Sequence, residues 1–128
     1  MTDFGDGRFH IGDVLSITTK RLMPPNGMGG VDSILCFLHQ ASVFTAGLPF
    51  AAEMARKQDG LPAQIPALVA DSLRHKEWID NACQDGRMDE VLHLFAAEHG
   101  EWITLVPLPF ACRLSPAEAV AVVPSRLS

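Results

Sequence analysis

Residues 9–19 read FHIGDVLSITT, and the period assigned to this run decides the fold. Phe9, Ile11, Leu15 and Ile17 hold odd positions, while His10, Gly12, Ser16 and Thr18 hold even ones. Such alternation predicts a half-buried β-strand continuing to Lys20. Asp13 interrupts the apolar series beside Gly12, which points to a bulge where a short carboxylate bonds nearby backbone N–H groups.

Next comes PPNGMGG (24–30), whose prolines cannot donate to a ladder and whose glycines permit positive φ, so a turn is expected. It is no phosphate loop, because Val31 and Asp32 follow Gly30 where Lys and Ser or Thr would be required. In VDSILCFLHQ (31–40), Val31, Ile34, Leu35 and Leu38 fall at i, i+3, i+4 and i+7, the pattern of a helix with one apolar face. That helix is expected to pack on the strand. SVFTAGLP (42–49) turns the chain, and Pro49 suits the first position of another short helix that ends near Asp59–Gly60.

Residues 61–86, LPAQIPALVADSLRHKEWIDNACQDG, suit two short helices broken near His75. A single helix would bring Ser72 and His75 or Lys76 into its apolar stripe. Pro66 opens the first and Asp85–Gly86 closes the second. Met88, Val91, Leu92 and Phe95 mark a further amphipathic helix that stops at Gly100, with His99 in its last turn, where it complements the helix dipole. WITLVPLP (102–109) is apolar on both faces and reads as a covered second strand. Residues 111–123 admit a helix from Pro116 or an edge strand AVAVV. The expected fold is α+β: a small sheet packed against several short helices in a single domain spanning residues 1–128, with 1–8 as a flexible arm.

Composition bounds the function classes. A chain of 128 residues that is 48% hydrophobic can bury one core and is too short for two ordinary domains. A formal net charge of −5 argues against general nucleic-acid binding, which needs clustered Lys and Arg. No apolar run approaches the roughly 18 residues of a membrane helix, and the N-terminus lacks signal-peptide character, so a cytoplasmic location is expected. Three widely spaced cysteines, Cys36, Cys83 and Cys112, form neither a disulfide framework nor a CxxC pair.

Asp32, Cys36 and His39 stand at i, i+4 and i+7 beside the apolar stripe of the first helix, and a carboxylate, a thiol and an imidazole are the parts of a Cys-His nucleophile. Their order is wrong for one: the thiol is the middle member, whereas a triad needs the imidazole between thiol and carboxylate. His75, His93 or His99 could supply a remote base. A metal site from His93, Glu98 and His99 fails on helix geometry, since residues six apart point to different sides. Neither metal nor cofactor is therefore expected. A nucleic-acid stacking platform needs basic residues interleaved with its aromatics, and WITLVPLPF (102–110) has none.

The segments HIGDVLSITT, GMGGVDSILCFL and SVFTAGLP, in that order, resemble a group of small proteins of bacterial genomes and mobile elements that carry an IGDVLSITT strand and an FTxxLP turn. The match covers about a third of the chain and brings no activity with it. This chain departs in the turn, where Ala46 and Gly47 replace the polar residues of the pattern, leaving Thr45 to bond local backbone. The expectation is a non-catalytic protein-binding or accessory factor of a mobile element, homodimeric because a small sheet often completes itself with a second copy. The alternative is a small hydrolase or transferase built on Cys36.

Overall fold

The computed structural model describes residues 5–24, 26–43 and 45–113. Strand β1 (Arg8–His10) leads directly into helix α1 (Ile11–Thr19), followed by α2 (Met28–His39), α3 (Leu48–Ala55), α4 (Leu61–Gln64), α5 (Pro66–Arg74), α6 (Lys76–Gln84), α7 (Met88–His99) and β2 (Trp102–Thr104). The two strands pair antiparallel, with Arg8 opposite Thr104, Phe9 opposite Ile103 and His10 opposite Trp102. The class is α+β, as expected, with a two-stranded sheet against the helices.

The expected strand over 11–19 is overturned: after three residues of β-structure the run becomes a helix. His10 caps it, its Nδ1 accepting from Gly12 N–H at 3.0 Å. Ser16 and Thr19 hydroxyls then return to carbonyls four residues back, Gly12 O at 2.8 Å and Leu15 O at 2.6 Å. Lys20 ends the helix in the left-handed region, φ 63°. The alternation misleads because α1 is buried almost all round, so its polar positions report no solvent face. Ile11, Val14 and Leu15 equally satisfy the helical spacing, and in nine residues the two periods are hard to separate. Gly12 is no bulge; a Cβ there would run into the backbone carbonyl of Pro24.

Helix α1 is the hub, packed against α2, α5, α7 and both strands. Helix α2 rests mainly on α1 and α3, and reaches the sheet where Phe37 meets Phe9 edge-on at 5.5 Å. Ile11, Val14, Leu15, Ile34, Leu35, Leu38, Ile79 and Leu108 are completely buried in this core. Gly7 and Arg8, expected in the arm, belong with the sheet: Gly7 is buried and its carbonyl accepts from Leu105 N–H at 2.7 Å. The break at His75 and the helix ends at Asp85 and Gly100 stand as expected. Strand β2 is shorter than WITLVPLP suggests and alternates exposed, buried, exposed rather than being covered on both faces. Beyond it the Gln64 side chain imitates a neighbouring strand, donating to Val106 O at 2.8 Å and accepting from Val106 N–H at 2.9 Å. The AVAVV alternative lies outside the described residues.

Candidate functional site

Asp32, Cys36 and His39 come out as the helix geometry requires, and their contacts are not those of a nucleophile. The Cys36 thiol donates to Asp32 Oδ1 at 3.5 Å. Burial pushes its pKa up and Asp32 pushes it further, with a backbone hydrogen bond from Val43 acting the other way. His39 is 2% exposed, and its Nε2–H donates to Ala51 O at 3.1 Å, tying α2 to α3. Burial lowers its pKa, as does the Arg113 guanidinium, against the opposing effect of the Ala51 bond. No hydrogen bond joins Cys36 to His75, His93 or His99 among the described residues. His75 instead stands edge-on to Trp78 at 6.5 Å. The cysteines at 36, 83 and 112 are free and half-buried.

His99 finds a partner that its own helix does not supply. Its Nε2–H donates to Asp71 Oδ2 on α5 at 2.8 Å, and its ring stacks on Phe95. Arg74 reaches the other oxygen of Asp71 at 3.2 Å. Asp71, Glu98 and His99 thus place three ligand-type atoms within 4.8 Å of one another, a grouping that takes Asp71 from α5 and leaves out His93, which helix spacing had excluded. With a guanidinium and an imidazole already on the buried carboxylate, it works as an ion-paired clasp between α5 and α7.

A third cluster is built where the first turns of α1 and α2 meet the end of the sheet. The cap at His10 uses Nδ1 as acceptor, which puts the ring proton on Nε2, 3.5 Å from Glu101 Oε2. Cross-strand pairing stands Trp102 against the His10 ring at 5.4 Å, and Arg8 lies 5.4 Å over the indole. Asp13, in the first turn of α1, is 3% exposed. Its Oδ2 accepts from Asn26 Nδ2 at 2.8 Å, while Oδ1 is buried without a hydrogen-bond partner among the described residues. Gly30 makes room for it, since a Cβ there would collide with the carboxylate. The carboxylate thus lies between the first turns of α1 and α2, the ends of those helices that carry positive partial charge. With Phe9, Gly29 and Ser33, the residues Arg8, His10, Asp13, Asn26, Gly30 and Trp102 line an open cleft of about 410 Å³.

Asp13 is the residue that sequence reasoning placed in the wrong structure. The available signal was a carboxylate inside an apolar run followed by Asn26 and paired glycines; what could not be read was that the two segments meet. Comparison with protein-family models, with curated proteins and with solved structures finds no match to this chain. No described helix is long and apolar enough to cross a membrane.

Proposed function

We propose that this protein is a non-catalytic binding protein that engages another protein through the surface formed by the two strands. The observation that carries the reading is Trp102, half exposed beside Arg8 and His10 at the mouth of the cleft. Tryptophan and arginine dominate binding hot spots because they offer large contact area with a polar handle. Further along the chain Val106 and Phe110 are exposed as well, the latter 85%, which adds apolar surface outside the cleft. That exposed apolar surface supports a homodimer. The resemblance to mobile-element proteins supports an accessory role.

Cys36 provides the test against the hydrolase or transferase alternative. Its thiol, held up in pKa, should alkylate with iodoacetamide slowly at about pH 6 and accelerate only in alkaline solution. Rapid labelling at the lower pH, abolished by a substitution at His39, His75, His93 or His99, would replace the binding reading with the enzyme. Light scattering over a dilution series tests self-association: a dimer mass that Phe110→Glu lowers is expected, and a monomer mass into the high micromolar range removes the dimer.

A further inference from the structure

We infer that the cleft floored by Asp13 receives a basic side chain, lysine or arginine, of a protein partner. The inference rests on the binding-protein reading and names the chemistry at its centre. A buried carboxylate oxygen with no hydrogen bond is an expensive arrangement, and the nearby helix ends bring positive partial charge without donating to it. An N–H-bearing cation that takes the place of Asn26 brings the carboxylate several N–H donors and an opposite charge.

The surroundings favour a cation. Among the described residues, Asp13 and Arg8 line the cleft, Asp6 stands beside it and Glu101 faces His10, so carboxylates outnumber the guanidinium. The chain as a whole carries −5, which steers a basic partner toward it. Asn26 covers the carboxylate; it is exposed and lies within the Pro/Gly turn, next to Gly27 at φ 57°. Its hydrogen bond to Oδ2 is one that an incoming ammonium or guanidinium can replace. Trp102 offers an aromatic surface to the aliphatic stem of such a side chain, and Gly29 and Gly30 keep the opposite wall low.

The test is an amide-resolved NMR titration of the full chain with the capped tripeptides Gly-Lys-Gly and Gly-Arg-Gly, with Gly-norleucine-Gly as the uncharged control and butylamine as the free amine. Saturable shifts at Gly29, Gly30 and the Trp102 indole are expected with the basic peptides, and Asp13→Asn should weaken binding about tenfold or more, as loss of a charge-assisted hydrogen bond does. Trp102→Ala, an exposed substitution, should weaken it too and carries the test should Asp13→Asn not fold. Equal shifts with the norleucine peptide, or undiminished binding by a folded Asp13→Asn or Trp102→Ala chain, overturn the proposal. Butylamine binding as tightly as the peptides overturns the assignment to a protein partner. Failure of the peptides while Cys36 remains inert removes the cation site alone; a reactive Cys36 removes the reading beneath it.

Discussion

Helices α1 and α2 both carry polar side chains among buried apolar ones, and they use them in opposite ways. On α2, Asp32, Cys36 and His39 form a tidy line, yet the thiol turns to the carboxylate and the imidazole to a carbonyl of α3. On α1, Asp13, Ser16 and Thr19 form no recognisable motif, yet each is buried and tied to chain outside its own turn or left with an unmet bond. Ser16 accepts from Met23 N–H at 2.9 Å, Thr19 accepts from Arg21 N–H at 3.3 Å, and Asp13 keeps an open acceptor beside a cleft. Regular spacing on a helix places residues in line; it does not decide what each one faces. Chemistry follows the partner, and the partner comes from elsewhere in the chain.

The largest effect should come from the apolar side of α2, where the two helices meet. Leu35 is fully buried, and Leu35→Ala should cost about 2–5 kcal/mol, read as a lowered urea midpoint. A midpoint close to that of the unaltered chain would separate α2 from the core and undo the comparison.

On α1 the decisive substitution is Ser16→Ala. It removes the donor to Gly12 O and leaves the buried Met23 N–H without its acceptor, so a loss of about 1–3 kcal/mol is expected. Cys36→Ala on α2 serves as the reference, since its thiol makes only a weak hydrogen bond. Should Ser16→Ala be the milder of the two, the inward polar groups of α1 are not what ties the loop to the helix.

The smallest effect is a pH dependence carried by His39. Its pKa is lowered in the fold, so below the ordinary histidine value of about 6.5 the unfolded chain takes up a proton that the folded chain refuses. Its contribution to stability is complete above that pH and lost as pH falls toward the folded value. Urea midpoints at descending pH should therefore decline from about 6.5, and His39→Gln should flatten that portion of the profile. Asp80, held below the usual carboxylate range by hydrogen bonds from Arg21 and Lys76, acts in the same direction but only below about 4, so the two windows separate. An unchanged profile in His39→Gln would show that the ring's burial has no energetic consequence.

Much of the helical framework was written locally. The apolar spacing of α2, Pro49 and Pro66 at helix starts, the interruption at His75 and Gly100 after α7 all act within a few residues, so they are legible without knowing what lies opposite. The α+β class followed from the same signals and from two expected strands, of which the run over 9–19 keeps β-structure only at its start and the run at Trp102 only over three residues. Helix α1 was not legible in this way. Its alternation is a pattern of side-chain size, and a helix enclosed by α2, α5, α7 and both strands has no solvent face to reveal its period. Tertiary structure alone decided that Asn26 would stand over Asp13, that His99 would clasp Asp71 from 28 residues away, and that Trp102 would meet His10 and Arg8. Those encounters depend on the docking of distant segments, whose energy lies in buried area and in satisfying polar groups across the core, quantities that no short window of sequence contains.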